Sequence, residues 1–303
     1  MGHLAGVKDV ESAGLGAPDG LTLPPMVDAA TRLRNADAPS RVRDDQTPTQ
    51  VRNDQAPWGT FSALDYWRHN YASMQPEDRE IIQVVSQFFI DRMAGRRPVR
   101  RAIDVGAGTN LYPALLMLPW TERLMLSDHA AGNVKWLDHQ IFDDEATWTW
   151  DPFWHELQGG KGYDRIGEPR KQLRAACAAD SEYSGVARYS VFDLPRAQWQ
   201  LGTMFFVAES ITEDPAEFRA ALAGFIGALE PGAPFAATFM AGSDGYSVAD
   251  TRFPALGINP EDVRERFVEL GTVDLSVQPT RTLHRVRPGY AGMIVATGIV
   301  GER

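Results

Sequence analysis

The chain is predicted to fold as an α/β domain, a mostly parallel sheet with helices on both faces. Two observations carry this. From Arg101 onward, short apolar runs alternate with amphipathic stretches, the pattern of strand–helix repeats that bury a parallel sheet on both sides. Within it, Ala102-Ile-Asp-Val-Gly-Ala-Gly-Thr109 is followed by a second apolar run ending in Ser127-Asp128-His129. That is a strand, a glycine turn, a helix and a second strand tipped by a carboxylate. At 303 residues, 44% hydrophobic and 23% charged, the chain has enough apolar side chains for a large core.

Residues 1–57 combine Pro, Asp, Arg, Gln and Gly with no sustained apolar period, and they hold two near-copies, Arg43–Pro48 and Arg52–Pro57. Such a composition buries too little to offset the entropy of ordering, so a disordered extension is expected, with the folded domain over 58–303. Phe61, Leu64, Tyr66, Trp67 and Tyr71 then predict a first helix. Pro76 starts a second, with Glu77, Asp78 and Glu80 in its first turn, an apolar face from Ile81 to Met93, and Gly95 as its stop. Strands are predicted near 101–105, 123–127, 186–192, 203–208 and 234–240, with late closing strands at 273–278 and 291–300. A helix over 214–229 ends at Glu230-Pro231-Gly232, and another runs from Pro260 to Leu270 with Asn259 as its cap.

The bulk numbers narrow the function. A net charge of -10 opposes a nucleic-acid backbone, and the short basic clusters read as solvated surface. No apolar run approaches the roughly 20 residues of a spanning helix, and the start of the chain lacks an export leader. The lone Cys177 rules out an internal disulfide, and no histidine pair has metal-ligand spacing. A cytoplasmic, metal-free monomer acting on small molecules is the expectation.

Gly106 and Gly108 would let a ligand approach the backbone where a Cβ would obstruct it. Asp128 could hold the hydroxyls of a ribose or cap a helix over 130–142. A dinucleotide fingerprint needs a third glycine at position 111, where Leu111 stands. The motif therefore favours a phosphate-free adenosine ligand, S-adenosylmethionine, over a nicotinamide dinucleotide.

Five ordered blocks carry a resemblance to a known family: Ile103-Asp-Val-Gly-Ala-Gly-Thr-Asn-Leu-Tyr112, Asp128-His-Ala-Ala-Gly-Asn133, Trp148-Thr-Trp-Asp-Pro152, Asp65-Tyr66-Trp-Arg-His-Asn-Tyr71 and Leu229-Glu-Pro-Gly232. Together they resemble the nicotinamide, phenylethanolamine and indolethylamine N-methyltransferases. The resemblance implies a Rossmann-like class I methyltransferase fold with a helical N-terminal lid, a seven-stranded sheet whose last strand inserts antiparallel, and S-adenosylmethionine across the carboxyl ends of the first strands. Carried over by block, Tyr66 and Tyr71 would close the lid on the methionine end, above Gly106, Ala107 and Gly108. Tyr112 would reach the carboxylate, Asp128 and Asn133 the ribose and methionine sides, and Asp193-Leu194 the adenine. His129 stands where the family has a tyrosine and could bond the cofactor or pack.

On the substrate side, Phe239-Met240 occupies the place of the acid with which the family grips its amine or amide. Ser243 and Tyr246 stand at positions resembling substrate contacts. Glu209 could take a proton or bind an ammonium, or cap a turn, while Arg281, His284 and Arg287 suit a carboxylate or a solvated loop. Methyl transfer asks chiefly for in-line geometry and exclusion of water, and aromatic faces such as that of Tyr66 can stabilise a sulfonium. Trp148, Trp150, Phe153 and Trp154 read as packing. The resulting expectation is an S-adenosylmethionine-dependent transfer to a small molecule, at nitrogen. An O-methyltransferase, an NAD-dependent oxidoreductase and a non-catalytic cofactor-binding scaffold are the alternatives.

Overall fold

A computed structural model describes residues 50–178, 182–281 and 289–302. Most of the expected extension, 1–49, lies outside the described residues. Its last part is corrected: residues 50–57 belong to the folded unit that begins at Pro48. Val51 N–H donates to Glu213 Oε2 at 2.9 Å, and the Glu213 N–H donates back to the Val51 carbonyl at 2.8 Å. Arg52 pairs with Asp214 at 2.7 Å and with Glu217 at 2.8 Å. This strap is held by polar groups some 160 residues away, which no local apolar pattern reveals.

Helix α1 spans Ala63–Asn70, with Ser62 accepting from the Asp65 N–H. Helix α2, Pro76–Met93, starts with a capping box between Gln75 and Asp78 and is followed by Gly95 at φ +79°. Strand β1 is Ala102–Val105 and the short α3 is Tyr112–Met117. Then come β2 (Leu124–Asp128), α4 (Ala131–Phe142), α5 (Asp151–Leu157), α6 (Pro169–Ala176), β3 (Gly185–Arg188) and β4 (Leu201–Phe205). Helix α7, Pro215–Ala228, is capped by Asp214, which accepts from Ala216 N–H at 2.7 Å. The chain continues through β5 (Pro234–Ala241), β6 (Tyr246–Val248), β7 (Thr251–Phe253), α8 (Pro260–Glu269), β8 (Val273–Pro279) and β9 (Gly292–Ile299).

Seven strands form one sheet in the order β3-β2-β1-β4-β5-β9-β8, and β9 alone runs against its neighbours. Its sides sort by residue parity. Ala102, Leu124, Leu126 and Ala236 face α2, α3, α5 and α6, while Ile103, Met125, Phe235, Ala237 and Phe239 face α7 and α8. β1, β2, β4 and β5 are buried along their whole length, as continuous apolar strands of a parallel sheet should be.

Three details depart from expectation. β3 ends at Arg188, so residues 189–192 leave the sheet as loop. β4 begins and ends earlier than 203–208, because the chain turns at Phe206, whose φ of +59° cannot continue a strand. The hairpin β6–β7 was not foreseen. Among the described residues no helix is long and apolar enough to cross a membrane.

Candidate functional site

A cavity, open at its mouth, lies at the carboxyl ends of β1 to β4, where doubly wound sheets take their ligands. Its floor is the turn Gly106–Asn110, which the two glycines make possible at φ +66° and +58°. At Gly106 a Cβ would stand 2.5 Å from Val207 Cγ2, so glycine serves both the turn and the approach of the loop after β4.

Asp128, at the tip of β2, is buried on the cavity wall. Its Oδ2 accepts from Gly108 N–H at 2.9 Å, while its Oδ1 accepts from Ala130 N–H at 2.7 Å and Asn133 Nδ2 at 3.2 Å. One carboxylate thus both fastens the loop that enters α4 and faces the cavity, although it makes no side-chain cap to the helix itself. Burial pushes its pKa up, against the pull of those hydrogen bonds and of neighbouring His129. Asp104, within β1, is driven by burial to about 8, although Thr203 Oγ1 donates to it at 2.7 Å.

The opposite wall is aromatic. Trp58 and Phe61 come from the segment before α1, Tyr66 from α1, Tyr71 from its end and Tyr246 from β6. The Tyr66 ring lies 6.1 Å from both Tyr71 and Tyr246 and 5.2 Å from Phe61. Phe253 of β7 backs the group, stacked on Trp58 at 5.3 Å and on Tyr246 at 5.5 Å. Such offset and edge contacts fix rings that would otherwise be mobile. Apart from tyrosines, the titratable side chains lining the cavity among the described residues are Asp128 and His129; no lysine or arginine is among them.

Of the residues named from sequence, Tyr66, Tyr71, Gly106, Ala107, Gly108, Asp128, His129, Asn133 and Tyr246 line the cavity. Others do not. Tyr112 stands one layer behind the wall, stacked on Phe153 at 5.5 Å. Glu209 is buried beneath the loop after β4, where it accepts from Met240 N–H at 3.0 Å, so it braces the wall instead of facing the acceptor. Phe239 points to the other face of the sheet, against Phe218 and Phe267, because strand parity sends 239 away from the face that receives 240. Ser243 is buried and accepts from Gly245 N–H. Asp193 is exposed and Leu194 packs in the far core, so the wall after β3 is made by Tyr189–Phe192 instead. The Arg281 N–H donates to Glu80 and lies off the cavity, while His284 lies outside the described residues.

Sequence reading missed Asn53, Trp58 and Phe61 of the strap, Thr109 and Asn110 of the turn, and Phe206, Val207, Ser210 and Ile211 after β4. Thr109 and Asn110 adjoin the glycine motif and were within reach of it. The strap was not, since its place depends on Asp214 and Glu217.

The sheet order, the single reversed strand and a polar turn facing a buried acid define a class I methyltransferase. The chain belongs to the NNMT/PNMT/TEMT family, whose model matches residues 51–289. No curated protein matches it in sequence. Among solved structures it is similar to the N-methyltransferase NodS from Bradyrhizobium japonicum WM9 in complex with S-adenosyl-L-homocysteine, at 14% identity and a TM-score of 0.45, covering 78% of this chain and 93% of that one. It is similar to 1,6-didemethyltoxoflavin-N1-methyltransferase from Burkholderia thailandensis, at 16% identity and a TM-score of 0.43, covering 74% and 80%. A third, the CurJ carbon methyltransferase, shares 11% identity at a TM-score of 0.42, covering 73% of this chain and 54% of that one, about half its length.

The family's cofactor is S-adenosylmethionine, and the residues present fit it. Thr109 Oγ1, Asn110 Nδ2 and Asn133 Oδ1 are buried at the cavity without a hydrogen-bond partner. Polar atoms so placed favour a ligand that supplies the missing bonds.

Proposed function

We propose that this chain methylates a small, flat, uncharged aromatic acceptor at a ring nitrogen. The observation that carries the reading is the aromatic wall of Trp58, Phe61, Tyr66 and Tyr246, opposite the polar turn and, among the described residues, without an acid or a fixed cation. Bound S-adenosylmethionine supplies the electrophilic methyl group. Asp128 and Asn133 would hold the ribose, and Thr109, Asn110 and Tyr71 the methionine end. The rings of the opposite wall would stack the acceptor and exclude water, which leaves in-line approach as the main catalytic contribution.

A ring nitrogen attacks through its lone pair and needs no proton removed. That suits a wall on which Glu209 is engaged elsewhere and His129 sits at the ribose side. The product's positive charge would rest against tyrosine faces, whose quadrupoles favour a cation. An ammonium substrate would enter with no carboxylate to receive it, and a phenol would need a base.

The test is transfer of label from S-adenosylmethionine to a panel of neutral heteroaromatics, primary amines and phenols. Label on the heteroaromatics is expected. Label on the amines alone would overturn the reading, and binding of S-adenosylhomocysteine with no transfer to any class would favour a scaffold.

A further inference from the structure

A buried acid stands behind the methionine end of the cavity. Asp78, in the first turn of α2, is 2% exposed and has no cationic partner within ion-pair distance among the described residues. Its Oδ2 accepts from Gln75 N–H at 3.0 Å. Tyr112 directs a fully buried hydroxyl toward it. The Tyr112 ring is held on three sides, by Phe153 at 5.5 Å and by the edges of Tyr71 at 6.3 Å and Phe205 at 5.6 Å. Its hydroxyl therefore cannot swing out to water. Between this pair and the cavity lie Tyr71 and Asn110, both lining it; Asn110 Oδ1 accepts from Tyr112 N–H at 3.2 Å while its Nδ2 has no partner.

An amino acid end carries one positive and one negative group. With no lysine or arginine lining the cavity among the described residues, a carboxylate there would be met by neutral donors such as Tyr71 and Asn110. An ammonium needs a negative field, and Asp78, next to buried Glu77, provides one. We propose that Asp78 is a positioning residue for the cofactor's amino acid end, orienting Tyr112, Tyr71 and Asn110 and lending its charge to the ammonium. This rests on S-adenosylmethionine being the cofactor.

The groups facing Asp78 are Glu77 and the Gln75 N–H at the start of its own helix, Tyr71 at the end of α1 and Tyr112 on α3. Burial lifts Asp78 to about 7. A cation arriving nearby favours its ionised form, so binding should release a proton near neutral pH.

Calorimetry on the full chain tests this with S-adenosylhomocysteine and with 5′-methylthioadenosine, which lacks the amino acid end. Asp78→Asn should weaken S-adenosylhomocysteine about tenfold while leaving 5′-methylthioadenosine within about twofold, and should abolish the buffer-dependent proton release. Equal weakening of both ligands, or of neither, would overturn the proposal. Should Asp78→Asn fail to fold, Tyr112→Phe, which keeps the ring packing, must show the same selective loss. If the wild-type chain binds neither ligand, the cofactor assignment itself falls, an outcome distinct from the others.

Discussion

The Gly108 amide donates to Asp128 Oδ2 at 2.9 Å, which ties the turn after β1 to the tip of β2, the floor of the cavity to its wall. The same carboxylate holds Ala130 and Asn133 through its other oxygen. Asp128 is therefore a structural clamp and a ligand-facing acid at once, and its substitution should act on both stability and binding.

Asp128→Ala should raise the dissociation constant for S-adenosylhomocysteine about tenfold or more and lower stability by about 2 kcal/mol, since it removes a charge-assisted acceptor shared by Gly108, Ala130 and Asn133. Asp128→Asn retains an acceptor for Ala130 and should lose affinity with less loss of stability. Calorimetry and urea denaturation separate the two effects. Unchanged affinity in Asp128→Ala would reduce the residue to a structural clamp.

Gly106→Ala places a methyl 2.5 Å from Val207 Cγ2 at a φ of +66°. A loss of about 2–3 kcal/mol and of cofactor affinity is expected. Adding Val207→Ala should recover the clash but not the backbone strain, so about half the loss should remain. Full recovery in the double variant would show that φ plays no part.

Removal of residues 1–49 should leave S-adenosylhomocysteine affinity within about twofold, whereas removal through Trp58 should weaken binding and acceptor turnover, because Asn53 and Trp58 line the cavity. Arg52→Glu, which repels Asp214 and Glu217, should mimic the longer truncation. Equal affinity in all three chains would show that the strap does not shape the site.

Asp104 predicts a pH dependence. Its folded pKa of about 8 lies above the ordinary carboxylate value, so between those values the folded state binds a proton that the unfolded state does not. The stability it contributes is full below about pH 4 and is lost as pH rises through 8. Thermal unfolding of the wild type should therefore fall from pH 5.5 to 8.5, and Asp104→Asn, which cannot ionise, should flatten that fall by several degrees. An identical slope in the variant would assign the effect to other groups.

Much of the fold was legible because its signals are local. The continuous apolar strands, the caps at Pro76, Asp214 and Asn259, and the glycines of the first turn each state their structure within a few residues. So did one wall of the cavity, where Gly106, Gly108, Asp128 and Asn133 belong to one βαβ unit. The aromatic wall was legible only at Tyr66, Tyr71 and Tyr246, because it is assembled from the strap, α1, the β6–β7 hairpin and the loop after β4, whose meeting depends on long-range docking. Strand parity gave Phe239 to the far core and burial gave Glu209 to the brace beneath the wall. From the sequence alone came the parallel sheet, the glycine turn after its first strand and the family. Only the tertiary structure decided which side chains face the cavity, because that depends on where a strand ends and which face a side chain takes once distant elements have packed.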